Sequence, residues 1–138
     1  MFPYDLGNIE DNYSFLSDKE KTTLPILIRK LYSEIEVAFS ESLSTLSGIG
    51  LRTLLESICI HQSIQGRTLK DKIDNLYKGG FISQKDLPIL HNLREIGNVT
   101  VYQIKKPNQR TLDYSLAILN HTLKSLYTIP HLHAKLKK

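Results

Sequence analysis

Arg94, Asn98 and Tyr102 put a cation, an amide and a phenol within a few turns of one another, in the stretch Arg-Glu-Ile-Gly-Asn-Val-Thr-Val-Tyr. A guanidinium offers several fixed donors to an anion. A tyrosine hydroxyl, with a pKa of about 10, is a poor base at neutral pH but can donate to an oxyanion. Between them, Gly97-Asn98 reads as a helix stop, because both residue types tolerate the left-handed conformation that ends many helices. A stop needs neither the arginine before it nor the tyrosine after it. The stretch therefore reads either as a site or as a corner of the fold.

The elements that must position it are helical. Leu90, Leu93 and Ile96 line one side of the helix that the corner closes. Its start reads from Ser83-Gln84-Lys85-Asp86, with Asp86 as the cap and Pro88 in the first turn, where a missing N–H costs nothing. Upstream, Leu24, Ile28, Leu31, Ile35, Ala38 and Ser42 recur at three and four. That spacing predicts a helix from near Thr23 to about Leu43, with Pro25 in its first turn. Ser44 to Gly50 reads as a break or a close helix crossing. Leu51, Leu54, Leu55, Ile58 and Ile64 resume the pattern, with Arg52 and Glu56 four apart beside it. Arginine first is the less favoured order for an exposed intrahelical pair. Two roles are open to the pair: an inward one, each side chain reaching a third group, or a surface pair of small energetic value.

Thr68 should cap a short helix bearing Leu69, Ile73 and Leu76, which Gly79-Gly80 ends. Val99 to Ile104 reads as one more helical turn, and Lys105-Lys106-Pro107-Asn108 as a basic turn joined by Arg110. The last helix carries Leu112, Leu116, Leu119, Leu123 and Leu126, a seam for the core or for a dimer. Pro130 should stop it. These patterns predict an all-α antiparallel bundle of about five helices without significant sheet. The expected organisation is an N-terminal arm over residues 1–22, a helical domain over 23–130 and a basic tail over 131–138. The arm's aromatics are expected to pack onto the body, and the tail to be disordered.

At 138 residues the chain is one domain that can bury a sizeable core. Its single cysteine, Cys59, sits in an apolar helical pattern and reads as a buried thiol, which fits a reducing compartment. No secretory signal or bilayer-length apolar run is present, so the expectation is a soluble cytoplasmic protein without a membrane partner. The opening Met1-Phe2-Pro3 is abrupt and leaves room for further domains of a larger parent protein. Residues 1 to 20 carry a net charge of −4, so the remainder carries +8 of the total +4. A basic body permits nucleic-acid contact without demanding it. His131 and His133 near the end have no neighbouring ligand pattern, and no metal or cofactor is implied.

Five motifs in order sharpen the picture: Leu51-Arg52-x-x-Leu55-Glu56, Leu69-x-x-x-Ile73-x-x-Leu76, Gly80-x-Ile82, Leu93-Arg94-x-x-Gly97-Asn98 and Leu126-Tyr127-x-x-Pro130. Together they resemble a bacterial family, the domain of unknown function 4145, over residues 24–130. That family looks like a branch of the HEPN superfamily, all-α bundles that often dimerise. Its members are similar to parts of restriction enzymes, toxin–antitoxin modules and phage-defence proteins. Active superfamily members are metal-independent ribonucleases, in which an arginine steadies phosphate and a following histidine moves protons at a dimer cleft. This chain departs from that pattern. The interval from Arg94 to Tyr102 is longer, and Tyr102 stands four residues after Asn98, where related sequences often carry histidine. His91, three residues before Arg94, is able to share its helix face.

Three functions are open, the first two from the resemblance. In the first, a non-catalytic homodimerising accessory or recognition module uses Arg52, Glu56 and Arg94, with Asn98, as a structural polar seam. In the second, a metal-independent endoribonuclease uses Arg94 to hold phosphate, Asn98 to orient it and Tyr102 to donate. Lys105, Lys106 and Arg110 would then steer RNA or another nucleic acid. The third is a nucleotide or small-ligand sensor. The altered position of the proton-transfer residue favours the first.

Overall fold

Ser17-Asp18-Lys19-Glu20 is the first stretch whose local chemistry fixes a structure in the computed structural model, which describes residues 15–96 and 107–137. The Ser17 N–H donates to Glu20 Oε1 at 2.8 Å and the Glu20 N–H donates to Ser17 Oγ at 3.2 Å, a reciprocal cap on the one-turn helix α1, Asp18–Lys21. Leu16, just before it, is buried, and the Phe15 ring meets Tyr32 and Phe39 edge-on. The aromatic packing expected of the arm holds for Phe15. Residues 1–14 lie outside the described residues.

Helix α2, Ile26–Ser40, starts one residue after Pro25. The sequence predicts Pro25 inside the first turn, but its ψ of 145° makes it the last extended residue before the helix. The α2 helix stops short of Leu43. Ser42 takes φ 57°, so that the Leu43 N–H reaches back to the Ala38 carbonyl at 2.8 Å. That left-handed closure ends the helix although the residue is not glycine.

Helix α3, Ser44–His61, includes the serine- and glycine-rich stretch, which is a crossing and not a break. A Cβ on Gly50 would lie 2.8 Å from Ile35 Cγ1, so only glycine lets α3 and α2 approach this closely. Helix α4, Leu69–Lys78, is capped by Thr68, whose Oγ1 accepts from the Asp71 N–H at 3.2 Å. A 3₁₀ turn, Gln84–Asp86, leads into α5, Leu87–Glu95, with Pro88 in its first turn. The Ser83 N–H donates to Asp86 Oδ2 at 3.1 Å, which closes the 3₁₀ turn; Asp86, the expected cap, precedes α5 but makes no side-chain cap bond to it.

Helix α6, Gln109–Leu123, passes into a π segment, Lys124–Thr128, and then into α7, Ile129–Leu136. Pro130 was the expected stop, and the helix runs through it. Proline lacks an N–H and its ring crowds the carbonyl four residues back. The wide turn absorbs that conflict: the Ile129 N–H donates to the Lys124 carbonyl, five residues back. The expected boundary after residue 130 therefore falls within a helix, and residues 131–136 are helical.

Helices α2 and α3 form an antiparallel hairpin. Helix α6 lies along α3 in the same direction, because Pro107 sits against Gly48 at one end and Tyr127 bonds His61 at the other. All five elements from α2 to α6 contribute to one core, with Leu54, Leu55, Ile58, Leu90, Leu93, Leu112 and Leu123 fully buried. The leucine seam of α6 is thus core and not a free dimer face. The molecule is an all-α bundle, with no strand among the described residues.

At the centre of the bundle is a polar node absent from the sequence reading. Tyr32 is fully buried, accepts from the Leu16 N–H at 2.9 Å and donates to Asn120 Oδ1 at 2.7 Å. Burial pushes its hydroxyl pKa far above the ordinary tyrosine value, so it stays protonated. One side chain ties the N-terminal segment, α2 and α6 together.

Candidate functional site

Helix α5 sends Leu90 and Leu93 into the core, which leaves His91 and Arg94 on its flank, three residues apart and able to share a face. The Arg94 side chain is 21% exposed, and its Nη2 lies 3.8 Å from Glu95 Oε1. Its Nε is enclosed and has no hydrogen-bond partner among the described residues. His91 Nε2 bonds Asp74 Oδ1 of α4 at 2.9 Å, while its Nδ1 is enclosed and unpartnered among those residues. The described part of the corner therefore offers one guanidinium and one carboxylate-held imidazole.

Arg52 and Glu56 pair with each other on α3, Nη2 to Oε1 at 3.7 Å. That distance is an ion pair too long for a hydrogen bond. Among the described residues, Arg94 pairs with Glu95 and makes no ion pair with Glu56, so Arg52–Glu56 and Arg94–Glu95 stand as two separate pairs. Gly97, Asn98, Tyr102, Lys105 and Lys106 lie outside the described residues, as does the predicted turn from Val99 to Ile104. Arg110 stands in the first turn of α6, where its backbone N–H donates to the capping Asn108 Oδ1 at 2.8 Å.

Cys59 is fully buried, and the loss of hydration pushes its thiol up to about 11, so it stays a neutral thiol at physiological pH. His61 Nδ1 and the Tyr127 hydroxyl are 2.8 Å apart, and burial raises the Tyr127 pKa. Among the described residues no three histidine, cysteine or acidic side chains gather as a metal site. No helix among them is long and apolar enough to cross a membrane.

Two apolar surfaces stand out among the described residues, and neither is visible as such in the sequence. The first is an open groove of about 450 Å³ between α2 and α3, lined by Leu31, Val37, Ala38, Leu43, Leu46 and Ile49, with Glu34 as its charged lining residue. Val37 and Leu46 are 61% and 57% exposed. The second is α7, whose Ile129, Leu132 and Leu136 are all exposed. Their spacing of three and four residues puts them on one helix face. A pattern search finds such a face, but only the fold tells whether a neighbour covers it.

A family model described as Domain of unknown function (DUF4145) matches residues 33–138, most of the chain, and the chain belongs to that family. No curated protein and no solved structure matches it.

Proposed function

We propose that this DUF4145 member is a non-catalytic, HEPN-like interaction module. It associates with a second copy of itself and serves as an accessory or recognition domain in a prokaryotic defence or nucleic-acid-processing protein of restriction or toxin–antitoxin type. The observation that carries this reading is the exposed apolar surface, the α2–α3 groove and the outer stripe of α7. Contiguous apolar patches left in water mark interaction surfaces, protein–protein contacts among them. In this reading Arg94 is architectural. Its stem packs at the edge of the core, and its head pairs locally with Glu95.

One observation favours a second reading, the metal-independent endoribonuclease built on Arg94, Asn98 and Tyr102. The enclosed Arg94 Nε has a donor to spare among the described residues, as a phosphate-holding arginine would. The basic charge contributed by Lys105, Lys106 and Arg110 would draw a nucleic-acid backbone to the same corner.

Two measurements separate the readings. Sedimentation across a range of concentrations should show self-association, and varied RNAs incubated with the protein without added metal should stay intact. RNA cleavage that disappears in Tyr102→Phe, with thermal unfolding unchanged, overturns the non-catalytic reading. Arg94→Ala should lower stability by about 1 kcal/mol through lost packing and leave no cleavage to lose.

A further inference from the structure

We infer that α7 is a docking arm that seats its Ile129, Leu132 and Leu136 stripe in the α2–α3 groove of a second copy of this chain. The inference rests on the self-association reading above and names its surface.

The arm projects from the bundle. Helix α6 runs beside α3 and in the same direction until Tyr127 meets His61, the last residue of α3. Beyond that point the helix continues, and every residue from Ile129 to Lys137 is exposed. Ile129, Leu132 and Leu136 are 57%, 53% and 85% exposed. A protruding helix with one unburied apolar face gains free energy only when another body covers it.

That body is not its own groove. The groove lies toward the other end of α3, where Leu46, Ile49 and Thr53 line it. Thr53 is eight residues before His61 and Leu46 fifteen, which at the helical rise is about 12 to 22 Å back from where the arm departs. A continuous helix pointing away from the groove cannot turn back into it. The groove of a second copy has no such constraint.

The two surfaces match in length and charge. From Ile129 to Leu136 is seven residues, and so is the groove's run along α2 from Leu31 to Ala38, about 10 Å in each case. Glu34 is the one charged residue lining the groove, and among the described residues it has no ion-pair partner. The arm carries His131, His133, Lys135 and Lys137 and no acidic residue. The Thr53 hydroxyl is turned back onto the Ile49 carbonyl at 2.8 Å, so this polar lining residue is already satisfied within α3. Each copy has both an arm and a groove, so a two-fold exchange makes the contact twice. A standard interface buries ~800 Å² per partner, and the reciprocal contact doubles what one arm and one groove bury alone.

The test uses the full chain and two variants at exposed positions, each checked for unchanged helicity and thermal unfolding. One is the arm variant Leu132→Glu/Leu136→Glu, the other the groove variant Leu46→Glu. Sedimentation equilibrium should show a wild-type dimer and at least tenfold weaker association for either variant alone. A mixture of the two variants restores one intact arm–groove pair, and should associate more strongly than either by itself. A dimer that survives either variant, or a mixture that gains nothing, overturns the arm-in-groove contact and leaves self-association standing. Loss of dimer in the arm variant alone means that arms pair with arms, and also overturns it. A wild-type chain that stays monomeric sinks both the contact and the self-association reading.

Discussion

Helices α6 and α7 are one continuous rod with the same apolar rhythm, yet its two ends have opposite fates. Leu112, Leu116, Leu119 and Leu123 follow each other at four, three and four residues, and each is at most 1% exposed. Ile129, Leu132 and Leu136 follow at three and four, and each is more than half exposed. Spacing alone makes a face. Whether that face is core depends on what the rest of the bundle brings to it, and α3 ends at His61, beside Tyr127, just before α7 begins. The contrast teaches that the leucine seam of α6 is core, and that the same spacing continued into α7 leaves its apolar face exposed.

The contrast predicts its largest effect in a matched pair of truncations. Leu119→Ala opens a cavity in a filled core and should cost about 2 to 5 kcal/mol, whereas Leu132→Ala should stay within about 0.5 kcal/mol. Urea unfolding of both at a concentration where the chain is monomeric checks this. Equal costs would mean that α7 is covered by its own chain.

A smaller effect should come from the node that holds the covered region together. Tyr32→Phe keeps the ring packing and removes the hydroxyl, so the Leu16 N–H loses its acceptor inside the protein. The expected loss is about 1 to 3 kcal/mol. Hydrogen exchange should show the amides around Leu16 opening first, while the exposed α7 amides exchange as before.

The smallest effect lies at the junction between the two regions, and it depends on pH. The Glu20 carboxylate is held below its ordinary pKa mainly by the Ser17 backbone N–H, helped by Lys124 at 3.3 Å from the π segment and opposed by burial. A depressed folded-state pKa contributes stability above the unfolded value and loses it as pH falls through the folded value. Glu20→Gln should therefore cost about 0.5 to 1 kcal/mol at neutral pH, with the gap from wild type closing as the solution is acidified below pH ~4. Thermal unfolding from pH 7 to pH 3 measures it. A gap that widens in acid would contradict the assigned direction.

Much of the fold was legible because its signals are local. Thr68 before Leu69, Gly79-Gly80 after Lys78, and Pro88 in a first turn are each chemically sufficient within a few residues, and each does what the sequence predicts; Asp86 caps the 3₁₀ turn through Ser83 and not, by its side chain, the helix that follows. The Ser17-x-x-Glu20 cap was equally legible but was hidden by the irregular arm around it. Pro130 misled for a physical reason: a proline forbids a regular helix, and a π turn is the irregular helix that admits it. The α2 closure at Ser42 was missed because serine carries no left-handed preference that would announce it. Of the corner that carries the chemical question, Arg94 is placed at the edge of the core, and His91 is tied to Asp74, seventeen residues upstream, a partnership no spacing rule predicts.

By itself the sequence determined that the chain is helical, where most helices begin, and which face of each is apolar. Those properties arise from backbone sterics, caps and a period of 3.6 residues, all within reach of a few neighbours. Only the tertiary structure decided that Tyr32 links α2 to Asn120, that Gly50 is a crossing point, and that Val37 and Leu46 of the groove and the α7 stripe are exposed among the described residues. Each of those outcomes depends on residues far apart in the chain, and a side chain's burial belongs to the surface it meets as much as to the residue itself.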